Sequence, residues 1–222
     1  PLRRALAIGE RERYRSHWIW HPAMMVRLYG EALDRGIAIP YVQDVIRTHA
    51  LAPASPDVAA WPWPIVVRTL GAFAIEVRGE PMRFEGKSQR RPLDLLKALI
   101  ALGGRDVPAR VLIDLLWPEP LEDGGQKALE ITVHRLRRLL LSDDAVRVTD
   151  RRVTLDSRLV WGDAWTLERM LARLVGTAGG PEPAIADLEA AAAGALDLYR
   201  GEFLGGEPDA PWLVPIRNRI AG

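Results

Sequence analysis

The stretch Gln126–Leu140 holds the densest candidate chemistry in these 222 residues. Set on a helix at about 100° per residue, Lys127, Ile131, His134, Arg135 and Arg138 gather on one side. Leu129, Val133, Leu136 and Leu140 gather on the other, with Glu130 and Arg137 on the flank. Four cations stand against one carboxylate, in a chain whose formal net charge is only +1. Long cationic side chains along one helix face suit a polyanion. The major groove of B-DNA, about 12 Å wide, admits one helix. Cations bordering it meet phosphates, and a few side chains reach base edges. Arginine can bond guanine through two donors, and His134 can donate or accept at a purine. At the head of this helix, Gly124-Gly125-Gln126 leaves backbone N–H groups for a phosphate. Arg151 and Arg152 sit at or beside a second feature, the tight Asp150-Arg151 turn between Ala145–Thr149 and Arg152–Leu155, with Arg147 on the first arm. An arginine on a narrow hairpin suits the minor groove. Taken singly, a basic helix face and a polar hairpin tip are what any solvated surface presents; their order along the chain gives them weight.

Other chemistries find little support. With no cysteine, a disulfide scaffold, a thiolate zinc site, an iron–sulfur cluster and a cysteine nucleophile are excluded. Gly86-Lys87-Ser88 ends like a phosphate-binding loop, but the glycine required five residues earlier is Pro81, which has no N–H to offer. Ser88 reads better as a helix cap. His17 and His21 share a four-residue spacing without a third ligand, and Trp18, Ile19 and Trp20 between them point to packing. Asp143-Asp144 lies in a polar turn. No Ser–His–Asp ordering supports an enzyme, and no cofactor is expected.

The elements that must position the basic side chains follow from local pattern. Residues 1–50 read as helical, with apolar periodicity in Met24, Met25, Leu28, Tyr29 and Leu33, then Val42, Val45 and Ile46. Residues 51–64, with Pro53, Pro56, Pro62 and Pro64, read as a stiff extended linker whose Trp61 and Trp63 are too large to stay wet. From Ile65 the period becomes strand-like: Ile65–Leu70, Phe73–Val77 and Pro81–Phe84 make an antiparallel meander. Helices follow at Ser88–Leu102, from Pro108 to Trp117, and from Gln126 to Leu141, then the hairpin. The last third is helical again, at Asp163–Val175, Pro183–Tyr199 and from Pro211 or Trp212. Three helices trailed by a hairpin make a winged helix-turn-helix, and the preceding meander narrows it to the OmpR/PhoB type. The expected class is therefore α+β, with all-α segments on both sides.

Composition agrees with a globular chain: 48% hydrophobic and 27% charged residues. Only Lys87, Lys97 and Lys127 among the 30 cationic side chains are lysine. No apolar run is long enough for a transmembrane helix, so no membrane partner and a cytoplasmic location are expected. Pro1-Leu2-Arg3-Arg4 carries neither an initiator Met nor a signal core, which reads as a fragment of something longer.

Two stretches resemble a known family. Glu85–Leu99, Leu115-Leu116-Trp117-Pro118 and Ala128–Leu140 are similar to the OmpR-like winged helix of SARP-family bacterial transcriptional activators. Ala195-Leu196-Asp197-Leu198-Tyr199-Arg200-Gly201-Glu202-Phe203-Leu204, then Asp209-Ala210-Pro211-Trp212, resembles the start of the bacterial transcriptional activator domain that follows it there. The resemblance implies four parts: residues 1–50 as the tail of a tetratricopeptide-like helical array, as in MalT-like regulators; 51–64 as linker; 65–157 as the DNA-binding winged helix; 158–222 as a truncated activator domain. It also implies promoter repeats in double-stranded DNA and RNA polymerase as partners, with tandem or homo-oligomeric binding. On that likeness Gln126, Lys127, Ile131, His134, Arg135 and Arg138 line the recognition helix, and Arg151 and Arg152 the wing. The alternative is a protein-interaction scaffold whose winged helix has lost DNA binding, which the near-zero net charge and the apolar Ile131 favour.

Overall fold

The structure is a computed structural model and describes residues 1–16, 20–55, 58–84, 89–119, 124–175, 185–207, 213 and 217–218. The chain divides into two compact units, Pro1–Pro64 and Ile65–Gly222.

The first unit contains α1 (Leu2–Arg11), α2 (Pro22–Asp34) and α3 (Ile39–Thr48). Proline opens α2 and sits in the first turn of α3, where its missing N–H costs nothing. Met25, Tyr29 and Leu33 on α2 and Val42, Val45 and Ile46 on α3 are buried, whereas Met24 of the same periodic set is exposed. Burial pushes the Tyr29 phenol up to about 12, with nearby Tyr41 adding to the shift. Segment 51–64 is not the extended spacer its prolines suggest. Gln43 Nε2 donates to the Ala60 carbonyl at 2.8 Å, Trp63 Nε1 donates to the Val58 carbonyl at 3.0 Å, and both Trp61 and Trp63 are buried. Two indoles carry more apolar area than an extended strand can leave in water.

The second unit is mixed α+β. Its elements are β1 (Ile65–Arg68), β2 (Ala74–Val77), β3 (Glu80–Pro81), α4 (Arg90–Ala101), β4 (Val107–Pro108), α5 (Ala109–Leu116), α6 (Gly125–Leu139), β5 (Val146–Thr149), β6 (Arg152–Leu155), β7 (Val160–Gly162), α7 (Asp163–Val175) and α8 (Ile185–Leu198). A four-stranded sheet runs β3-β2-β1-β7, and a three-stranded sheet runs β4-β6-β5. In the first sheet Ile65 faces Val77 and Val67 faces Ile75, all four buried, the period of two expected of a half-buried strand.

The meander is present, but its third strand is only Glu80–Pro81, shorter than Pro81–Phe84. Two strands were not foreseen. β4 precedes α5 and pairs Val107 with Val153. β7 lies parallel to β1, pairing Ile65 with Val160. The strand lies beyond the division drawn at 157/158 but pairs with β1 on the other side of it, and residues on both sides of that line belong to one unit. The Ser88 cap, the Pro183 start and the helix from Pro211 or Trp212 fall outside the described residues.

The turn after α4 needs a glycine. Gly104 has φ +68, and a Cβ there would stand 2.3 Å from Trp165. Its N–H closes the helix on Leu99 O at 2.7 Å, and its carbonyl accepts from Leu155 at 2.7 Å. Trp165 in turn donates Nε1 to Ile100 O at 2.8 Å.

At the junction of β7 and α7 lies the buried Asp163. Its carboxylate accepts from Thr69 N (2.8 and 2.9 Å), Thr69 Oγ1 (2.8 Å), Leu70 N (2.9 Å) and its neighbour Ala164 N (2.8 Å). The same β1 end is also held by Leu204 N donating to Thr69 O at 2.7 Å, by Gly71 N donating to Glu202 O at 3.0 Å, and by a Leu70–Phe203 bridge. Replacing Asp163 by Ala strands buried N–H donors, each a charge-assisted partner lost. Asp163→Ala should therefore lower unfolding free energy by about 3 kcal/mol or more, read as a lower urea midpoint; a midpoint matching the parent would refute this role.

Candidate nucleic-acid interface

Helix α6 is pinned from below. Leu129, Val133, Leu136 and Leu140, at or just past the helix end, are each at most 3% exposed and belong to the core shared with α4, α5 and the small sheet. Thr132 is buried beside them and returns its hydroxyl to Ala128 O at 2.7 Å. Full burial of a leucine-sized side chain stabilises by about 1.5–3 kcal/mol, so this ridge fixes which way the helix faces. At its head, Gly125 lies against α5: a Cβ there would come within 2.8 Å of Ile113 Cγ2.

The opposite face is the predicted one. Gln126, Lys127, Ile131, His134, Arg135 and Arg138 are all exposed. Lys127, Arg135, Arg138 and Arg151 make no ion pair with any described residue. Gln126 donates Nε2 to Glu130 Oε1 at 3.0 Å, drawing the one carboxylate of the helix toward its N-terminal turn. Arg137 is different. It is half-buried and donates Nε to Val146 O at 2.8 Å, clipping α6 to β5.

The hairpin β5–β6 pairs Thr149 with Arg152 and Val146 with Leu155. Asp150 (φ 50) and Arg151 (φ 57) form its two-residue turn, with both central residues left-handed as a tight hairpin requires. Arg151 and Arg152 are exposed. They are not equivalent, because Arg152 donates Nη1 to Asp106 O at 2.8 Å and so braces the hairpin against the residue before β4. Arg147 also has a structural duty, lying 3.6 Å from Asp156.

Asp156 was missed by sequence reasoning, which had no cue beyond a carboxylate after a strand. It is 2% exposed and accepts from Arg158 through N (2.9 Å), Nε (3.1 Å) and Nη2 (2.8 Å), while its own N–H donates to Ala145 O at 3.0 Å. The Arg158 guanidinium bonded to it holds the carboxyl below its ordinary 3.8, against the upward push of burial. Asp156 and Arg158 thus close the foot of the hairpin.

Of the decoys, His17 and Gly86-Lys87-Ser88 lie outside the described residues. Among the described residues no group of three metal-ligating side chains converges, and no helix is long and apolar enough to cross a membrane.

No protein-family model matches the chain, and no curated protein matches it in sequence. Among solved structures it is similar to Mycobacterium tuberculosis EmbR, in a complex with a low-affinity phosphopeptide, at 19% identity and a TM-score of 0.49. That match covers 71% of this chain and 42% of the EmbR chain, so the chain spans less than half of that protein's length.

Two outcomes test this geometry. Gly125→Ala adds a methyl against the stiff branch of Ile113 and should destabilise by about 1–2 kcal/mol despite the better helix propensity of alanine; thermal unfolding reads it. Because the folded-state pKa of Asp156 is depressed, its contribution is complete above 3.8 and is lost as pH falls through the lower folded value. Between about pH 4 and pH 2 the parent should therefore lose more stability than Asp156→Asn. Parallel denaturation curves for the two across that range would contradict the assignment.

Proposed function

We propose that residues 65–157 form the sequence-specific DNA-binding part of a transcriptional regulator of the SARP kind. In this reading α4–α6 and the β5–β6 hairpin act as an OmpR-type winged helix. Helix α6 enters the major groove, Lys127, Arg135 and Arg138 clamp phosphates or reach guanine, and Arg151 at the hairpin tip reaches the minor groove. Residues 158–222 are the start of an activator domain and residues 1–50 the tail of a helical array, as in MalT-like regulators. Contact with RNA polymerase, tandem binding to promoter repeats and a cytoplasmic setting belong to the same proposal, which assigns the chain no catalysis.

The observation that supports it best is the unneutralised stripe on α6. Three cations and a histidine share one exposed face, free of ion pairs with described residues, on a helix whose other face is packed dry. A face evolved only for solvation is commonly laced with i,i+4 ion pairs, as Arg110–Asp114 on α5 is at 3.8 Å. The scaffold alternative draws on the formal net charge of +1, which gives no bulk pull toward nucleic acid.

Selection of bound duplexes from a random-sequence pool, followed by titration of the winner at several salt concentrations, separates the two. The expected result is an enriched sequence and a steep salt dependence. Arg138→Gln should lower the slope of log K against log salt by about 0.9 if Arg138 neutralises one phosphate. A pool with no enriched sequence would favour the scaffold.

A further inference from the structure

We infer that Ile131 is a base-reading residue that recognises the C5-methyl group of a thymine. The inference rests on the DNA-binding reading above and adds to it the kind of base at the centre of the site.

Ile131 is 45% exposed, in the middle of the cationic face. At 1.5 Å per residue it stands about 6 Å along the axis from Lys127 and from Arg135, and about 10 Å from Arg138. Its neighbours on the helix have other duties. Glu130 is held by Gln126, Thr132 bonds back to Ala128, and Val133 is buried. Within the exposed stripe, Ile131 is the one wholly apolar side chain. An isolated exposed isoleucine is ordinary on a protein surface. This one is bracketed at both ends by the groups that would meet phosphates, which places it where the helix comes nearest the floor of the groove.

A major groove offers hydrogen-bonding groups on every base pair and one apolar group, the thymine methyl. A branched aliphatic tip can gain from nothing else there. Ile131 is also suited by its stiffness: β-branching leaves one strongly preferred χ1 rotamer in a helix, so little side-chain entropy remains to be lost on contact. The wing offers another exposed β-branched aliphatic side chain, Val148 at 41%, but it lies on a strand and outside the face of α6.

The test uses the full 222-residue chain and the duplex most enriched from a random pool. Each thymidine is replaced in turn by deoxyuridine, which deletes the methyl and keeps every hydrogen-bonding group. At one or two positions the parent should bind about fourfold more weakly, the worth of one buried methyl-sized group. Ile131→Ala should show no loss at those same positions, and Arg138→Gln should retain it. Ile131 is exposed, so its replacement by alanine leaves the core untouched; a circular dichroism melt verifies this. Two results overturn the inference alone: uracil duplexes that all bind like the parent duplex, or a uracil penalty of equal size in Ile131→Ala. Absence of any enriched duplex overturns the wider DNA-binding reading along with it.

Discussion

A helix cannot present a face until something prevents it from rolling. In this chain that constraint is the apolar ridge of Leu129, Val133, Leu136 and Leu140, sunk into the core beneath α6. Rotation of the helix by a third of a turn would expose leucines and bury arginines, and either change costs several kcal/mol. Secondary clips refine the setting. Arg137 ties the last turns of α6 to β5, and Gly125 lets its first turn close on α5. The exposed cations are therefore displayed on a rigid element, which is what a precise contact with a regular polymer needs.

The hairpin beside α6 is seated on the shared core through Val146, Val153 and Leu155, and polar contacts fix its foot and tip. Its inner residues Val153 and Leu155 are buried, but its outer face is wet. Asp156 with Arg158 closes the foot, and Arg152 braces the hairpin near the tip through Asp106. Arginines that look interchangeable in the sequence thus divide by task. Arg137, Arg147, Arg152 and Arg158 hold structure. Arg135, Arg138 and Arg151 stand without described ion-pair partners.

The segment after the hairpin is built into the same unit. β7 extends the first sheet in parallel with β1, and Asp163 receives the backbone N–H groups at the end of that strand. Lys97 on α4 is 7% exposed, bonded to Glu207 at 2.6 Å and stacked 4.6 Å from the Phe73 ring. Arg217 donates to the carbonyls of Phe203 and Leu204 at 3.0 and 2.9 Å. With the bonds of Leu204 and Phe203 to the end of β1, these contacts tie Phe203, Leu204, Glu207 and Arg217 into the core built on the sheet and α4.

How much of this was legible in advance divides along a physical line. The periodicity of Leu129, Val133, Leu136 and Leu140 placed α6 and its exposed face correctly, because a helix repeats every 3.6 residues and burial follows that repeat. The Asp150-Arg151 turn and the strands from Ile65 were readable for the same reason: short-range pattern and turn chemistry are local. β4 and β7 were not, since strands of two and three residues have no period to detect and exist only through partners far away in the chain. Nor were the roles of Asp163 and Asp156, whose hydrogen bonds depend on which backbone N–H groups the fold delivers to them. The sequence by itself determined which side chains could share a face; only the tertiary structure decided which arginines were already committed to partners, because ion pairs and long-range hydrogen bonds are set by distances in space that spacing along the chain does not encode.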